Sequence, residues 1–193
     1  MPFTSYLMTI LLLLGLGISY IVAKIAWYAI RMLGLKHKLK KLNSGDISIS
    51  FPRKFYEIMF GEMGDTNFVV TTPTETYVVS VISFASTHAR WNIEKTKNGY
   101  RAEVRRKRFR YDSEYNTGTE PESAREYRKE AVVHRDEFTL PACKEDEKGI
   151  LLIHPRPRDL TYSHVRLEYL CSGDKIEDYT VMYETDFLDL LGK

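Results

Sequence analysis

The sequence predicts an α+β protein: one N-terminal transmembrane helix followed by a single soluble domain with a mostly antiparallel or mixed sheet and few helices. Three observations carry this expectation. A charge-free apolar run opens the chain, β-branched and aromatic runs separated by turn residues fill most of the remainder, and helical periodicity returns only in short stretches. With 193 residues, 44% hydrophobic, and 13 Tyr, 9 Phe and 2 Trp, the chain supports one folded unit plus an appendage and is too rich in buriable surface to remain disordered. Two cysteines are too few for a disulfide-stapled mini-protein.

The apolar run is the first element. Tyr6 to Ala23 contains no ionisable side chain other than its tyrosines. At about 1.5 Å per helical residue it covers roughly 27 Å, close to the hydrocarbon thickness of about 30 Å. Lys24 is placed to snorkel at the boundary, with Tyr20, Trp27 and Tyr28 as interfacial aromatics. A cleaved signal peptide is the rival reading, but Met1 to Tyr6 carries no base and Ile21-Val22-Ala23 is a poor cleavage site. The expected division is a membrane anchor over 1–30, a basic juxtamembrane helix and linker over 31–46, and a cytoplasmic α+β domain over 47–193.

Charge sets the expected orientation. Six bases, Lys24, Arg31, Lys36, Lys38, Lys40 and Lys41, follow the run and none precedes it. The positive-inside bias then predicts a single-pass protein of the cell membrane with its N-terminus outside and its domain in the cytoplasm. Lys24, Trp27, Tyr28, Arg31, Lys36 and Lys38 are the expected membrane-interface residues. The whole chain is +2, so removing those six bases leaves 22 bases against 26 acids, a balance of −4. In a reducing compartment Cys143 and Cys171, with no C-x-x-C spacing, are expected as free thiols.

Beyond the run, Tyr28, Met32, Leu35, Leu39 and Leu42 recur at steps of 4, 3, 4 and 3 and line one helical face. That stripe would join a protein partner or a second copy as a short coiled coil, lie on anionic lipid, or pack on the soluble domain. Otherwise the segment is a solvated helix whose bases only set topology.

The domain reads as follows. Asn43-Ser44-Gly45-Asp46 is a linker, Ile47, Ile49 and Phe51 alternate as a short strand, and Pro52 opens a short helix through Phe55, Ile58 and Met59, closed by Gly61 and Gly64. Asn67–Thr72 and Thr76–Phe84 form two strands, the second apolar on both faces and therefore interior. Asn98-Gly99 predicts a hairpin with a two-residue type I′ turn, pairing Ile93 with Val104 and Trp91 with Arg106, and setting Glu94 opposite Glu103. Tyr111–Ser123 is a loop. Ala124–Val133 is a strand or a helix, the strand favoured because Tyr127, Ala131 and Val133 share one parity. Gly149–His154 is a strand ended by Pro155-Arg156-Pro157. Val165–Cys171 and Tyr179–Tyr183 make a second hairpin about Ser172-Gly173-Asp174, and Thr185 is a candidate N-cap for a C-terminal helix.

Chemistry is sparse. The five histidines have no partner at metal-ligand spacing, and there is no H-E-x-x-H, Walker loop, G-x-G-x-x-G or G-x-S-x-G. No cofactor or metal is expected, and the balance weighs against an enzyme. His154, at a strand end before Pro155, is where a ligand or base would sit, though a lone histidine there is more often structural. Arg105, Arg106, Lys107, Arg108 and Arg110 form a basic cluster suited to phosphate on nucleic acid or lipid. Its bland counterpart is an exposed strand whose charges pair with neighbouring acids. The net acidity beyond residue 41 disfavours nucleic acid.

One constellation carries a family likeness. A short helix, Asp65 leading into Asp-Thr-Asn-Phe-Val-Val, a turn, and the strand Thr-Tyr-Val-Val-Ser-Val-Ile-Ser resemble the early core of restriction-endonuclease-like proteins over residues 52–104. The resemblance implies carboxylates holding a divalent ion and a lysine orienting water. Asp65 matches the first acid by position. Val78-Val79-Ser80 occupies the place of the second acid and lysine, and Glu75 lies earlier, at the turn, so the resemblance implies a site without its Glu-x-Lys. Asp65 and Glu75 are the only catalytic candidates. The function expected is therefore a membrane-anchored binding or scaffolding domain facing the cytoplasm, with a degenerate, membrane-tethered nuclease-like domain as the alternative.

Overall fold

The structure is a computed structural model that describes residues 2–42, 46–52, 54–57, 66–84, 87–107, 130–164 and 167–192. It is α+β, with one long apolar N-terminal helix and a mixed-sheet domain. The elements are α1 (Pro2–Leu42), β1 (Ser48–Ser50), α2 (Lys54–Glu57), β2 (Phe68–Thr71), β3 (Thr76–Ile82), β4 (Arg90–Thr96), β5 (Gly99–Lys107), β6 (Glu130–Phe138), β7 (Glu147–Ile153), β8 (Asp159–Ser163), β9 (Leu167–Tyr169), β10 (Lys175–Ile176), β11 (Tyr179–Tyr183) and α3 (Glu184–Leu191). Of the eleven strands among the described residues, β8 and β10 are the two that the sequence reading lacks.

The strands form two stacked sheets. The first runs β1-β2-β3-β7-β11-β10 and the second β6-β5-β4-β8-β9. In the first, β3, β7 and β11 are parallel neighbours, with Ile82 beside Ile153 and Ile153 beside Tyr183. Alternation along these strands sends Ile82, Leu151, Ile153, Val181 and Tyr183 into a core shared with Trp91, Ile93, Val104 and Leu160 of the second sheet. It sends Tyr77, Val79, Val81, Ile150 and Leu152 to the opposite face. β3 is buried along both faces, as its sequence predicts.

That opposite face is covered by helix. Met32, Leu35 and Leu39 of α1 join Phe55, Phe68, Val70, Phe187 and Leu191 over Val79, Val81 and Leu152 in a second core. Each of the three α1 side chains is at most 1% exposed. The 28–42 stripe therefore docks on its own domain, which selects one of the readings above and overturns the solvated helix. Residues 31–42 belong structurally to the domain, on a helix unbroken from Pro2 to Leu42. Upstream, the best apolar window has none of its residues buried, and the helix is long and apolar enough to cross a membrane by length and composition.

Several local expectations are corrected. The first hairpin pairs Trp91 with Val104, Ile93 with Ala102, Glu94 with Arg101 and Thr96 with Gly99, two positions from the predicted register. Its central residues are Lys97 and Asn98, neither at positive φ, and Gly99 follows at φ 140°. A Cβ on Gly99 would lie 2.7 Å from the Phe138 carbonyl oxygen, so the glycine serves the close approach of β6 rather than a type I′ turn. The new register also replaces the Glu94–Glu103 repulsion with a Glu94–Arg101 ion pair of 3.5 Å.

β6 does return along β5, as a strand starting at Glu130; residues 124–129 lie outside the described residues. A bulge between Val104 and Arg105 leaves Val133 without a pairing partner on β5, and it is 53% exposed instead of facing inward. The second predicted hairpin does not form. β9 pairs with β8 in one sheet while β11 pairs with β7 and β10 in the other, so the Ser172–Asp174 turn carries the chain between sheets. α3 is capped at Tyr183 with no side-chain bond, and Thr185 lies inside the helix. The 43–45 linker, Ile58, Met59, Gly61, Gly64 and the 111–123 loop lie outside the described residues.

Leu33 and Leu35 lie on opposite helix faces and are 51% and 1% exposed, so they separate the docked face from the open one. Leu35→Ala should lower the unfolding free energy of the detergent-solubilised chain by about 2–5 kcal/mol, as buried leucine truncations do. Leu33→Ala should change it by less than about 0.5 kcal/mol. Equilibrium urea unfolding followed by tryptophan fluorescence measures both.

Candidate functional site

Because β3, β7 and β11 are parallel, their C-terminal ends lie in one row, and the residues that follow are Ser83, His154 and Glu184. The preceding row, Ile82, Ile153 and Tyr183, faces the inter-sheet core, so alternation turns these three toward the helix layer. Pairing continues one step past the strands, since the His154 backbone N–H donates to the Ile82 carbonyl at 3.0 Å. Glu184 Oε2 then lies 2.6 Å from His154 Nδ1, while its Oε1 accepts from Lys38 Nζ on α1, also at 2.6 Å.

This chain of charges clasps three elements, joining α1 through Lys38, the end of β7 through His154 and the start of α3 through Glu184. The His154 contact, followed by the Lys38 bond, outweighs burial and holds the Glu184 carboxyl down to about 2. Ser83 Oγ and His154 Nε2 are buried with no hydrogen-bond partner. Serine, histidine and carboxylate are the residue types of a nucleophile–base–orienter set. Here, however, Ser83 is 1% and His154 8% exposed, so no substrate reaches the hydroxyl. In this arrangement the row fastens the helix.

The other α1 bases work in the same way. Arg31 Nη1 donates to the Phe84 carbonyl at 3.4 Å, and its guanidinium lies 4.7 Å from the Trp27 ring centroid. Lys36 donates to the Tyr56 hydroxyl and lies over the rings of Phe51, Phe55 and Tyr56. Arg31, Lys36 and Lys38, expected at a membrane interface, each contact the domain. Trp27 is half-exposed, Tyr28 is buried, and Lys24 lies within α1.

At the opposite end of the same strands is an open cleft of about 800 Å³, lined by Glu75, Tyr77, Glu147, Lys148, Lys175 and Glu177 among others. Glu75 sits here, with one carboxylate oxygen bonded by Lys148 and the other by the Tyr77 hydroxyl. Those two bonds hold the Glu75 carboxyl below its ordinary range. Burial first, and then the same Glu75 bond, raises the Tyr77 hydroxyl to about 12. Glu147 is held low by the backbone N–H and ammonium of Lys144, and Glu177 by Lys95. With Glu75, Glu147 and Glu177 each engaged by a lysine, the cleft carries mixed charge. No group of three His, Cys, Asp or Glu able to hold a metal occurs among the described residues. Asp65 lies outside them, and Val78 and Ser80 are buried within β3.

The basic cluster falls on β5, an interior strand rather than an edge. Arg105 and Arg135 take opposite oxygens of the buried Glu103 carboxylate, at 2.9 and 2.8 Å. Burial pushes that carboxyl up, and the two arginines more than offset it, leaving it lowered. Arg106 is exposed and Lys107 ends the strand; Arg108 and Arg110 lie outside the described residues. Cys143 and Cys171 are free thiols.

Sequence reasoning singled out His154 from its place before Pro155 but missed Ser83, Glu184 and the role of Lys38. The parallel register brings the three strand ends together, and spacing along the chain carries no trace of it. Because the folded Glu184 value of about 2 lies below its ordinary 4.5, its stabilising contribution is complete above about pH 4.5 and is lost as pH falls toward 2. Urea unfolding between pH 6 and 2 should show this loss, on the order of 3 kcal/mol, in the native chain. Glu184→Gln should flatten that part of the profile.

Comparison of the chain with protein-family models, curated proteins and solved structures finds no match.

Proposed function

We propose that this chain is a single-pass protein of the cell membrane whose α+β domain is a binding or scaffolding module, held without a flexible linker against the cytoplasmic face of the bilayer. The observation that carries the reading is the division of labour along one helix. Leu11, Leu12, Leu13 and Leu14 are each more than half exposed, whereas Met32, Leu35 and Leu39 are sealed in the core. An unbroken apolar rod of this length in water would expose far more contiguous apolar surface than soluble proteins carry, and a bilayer relieves it. The six bases beyond Ala23 support a cytoplasmic position for the domain. The mixed-charge cleft then opens at the end of the sheet remote from the anchor, accessible to a polar protein partner.

Membrane extraction and thiol accessibility test this together. The chain should remain in the membrane pellet after alkaline carbonate. Exposed Cys171 should resist a membrane-impermeant maleimide on intact cells and react after permeabilisation. Release by carbonate, or labelling of Cys171 on intact cells, would overturn the proposal.

A further inference from the structure

The fixed helix also fixes which end of the domain meets the bilayer. Arg31 contacts Phe84, just past the end of β3, so α1 enters the domain at the C-terminal ends of the parallel strands. Arg31 is eight residues beyond Ala23, or about 12 Å along a helix. The headgroup layer is only about 5–8 Å thick on each side. Ser83, Phe84 and the described residues 87–90 and 154–159 therefore lie on the side of the domain that faces the headgroups, alongside the bulged end of the β5–β6 pair and the end of β9.

Charge is polarised along the same direction. The anchor-side end carries Arg90, Arg105, Arg106, Lys107, Arg156 and Arg158 against Glu103, which holds Arg105, Glu130, opposite Lys107 across the β5–β6 pair, Glu168 on β9, and Asp159, shared at 3.8 and 3.9 Å by Arg90 and Arg158. The remote cleft has five carboxylates against three lysines. Exposed Tyr169, with the Arg90 guanidinium 6.0 Å from its ring centroid, and exposed Val132 and Val133 add amphipathic surface at the basic end.

We propose that this arginine-bearing end rests on anionic phospholipid headgroups, its ligand being the phosphate of lipid in the bilayer that α1 enters. The proposal rests on the anchored reading above. It extends that reading by assigning a lipid class and a contact face. Lipid phosphate is favoured over nucleic acid because the anchor brings the face to the headgroups, whereas a nucleic acid would have to enter the gap between domain and bilayer. Electrostatic attraction to an anionic surface acts within a Debye length, a distance the helix geometry satisfies.

The two cysteines supply probes at opposite ends. Leu170, adjacent to Cys171, bonds to Leu160 near the start of β8, whereas Cys143 packs against Gly149 near the start of β7. The full chain, as Cys143→Ser or Cys171→Ser, is labelled with a fluorophore on the remaining thiol. It is then reconstituted in nanodiscs of phosphatidylcholine, with or without phosphatidylglycerol, containing headgroup-spin-labelled lipid as quencher. Quenching should be stronger at Cys171 than at Cys143 and should rise with phosphatidylglycerol. That rise should be lost in Arg106→Gln/Arg156→Gln/Arg158→Gln, with unchanged circular dichroism confirming its fold. Quenching indifferent to lipid charge, or a rise that survives the triple substitution, would overturn the headgroup proposal while leaving the anchor intact. Failure of the chain to co-elute with the discs would overturn both.

Discussion

The architecture depends on one helix with two surroundings, an exposed apolar half and a half packed into the core of the domain. From Met8 to Ala23 the side chains of α1 are exposed, whereas farther along Tyr28, Met32, Leu35 and Leu39 form a face that is buried. A 41-residue helix extends about 60 Å, and its docked part gives the first sheet a second apolar cover. Without it, Val79, Val81, Ile150 and Leu152 would lose much of the layer that shields them from water. The apolar N-terminal part of α1 and the domain are thus coupled through packing on one unbroken helix.

Polar chemistry follows from the same constraint. Placing α1 across the ends of three parallel strands buries Ser83 and His154 and partly buries Glu184, whose carboxylate then requires a partner. Lys38 supplies the cation and His154 Nδ1 lies against the other oxygen, which makes a specific lock between helix and sheet. The opposite strand ends are uncovered, and their charges pair across an open cleft. The domain consequently has a closed end where α1 enters and an open, mixed-charge end away from it.

Much of this was legible in the sequence where a local pattern met a local consequence. The α+β class, the apolar helix, the interior position of β3 and the return of β6 along β5 all follow from period and composition. The first hairpin was located but slipped by two residues, because Asn98-Gly99 invites a type I′ turn while Gly99 is actually required beneath the Phe138 carbonyl. The clash of Glu94 with Glu103 was the signal of the wrong register, and pairing Glu94 with Arg101 removes it. The stripe from Tyr28 to Leu42 announced burial but not against what, since helical spacing is the same for a partner, a lipid surface or one's own sheet. Ser83, His154 and Glu184 are far apart in the chain and meet only through parallel pairing, which no spacing rule reveals. The switch of sheets between β9 and β10 escaped for the same reason, as turn residues mark a reversal without saying which sheet receives the next strand.

The most direct test of the shared helix is native-state hydrogen exchange on the full chain in nanodiscs, comparing amides of residues 33–40 with those of β7 as urea is raised. If the helix is part of the core, both sets should lose protection together, in the same cooperative transition. Exchange of residues 33–40 at urea concentrations where β7 remains protected would show a helix that merely lies beside the domain, and would contradict the account.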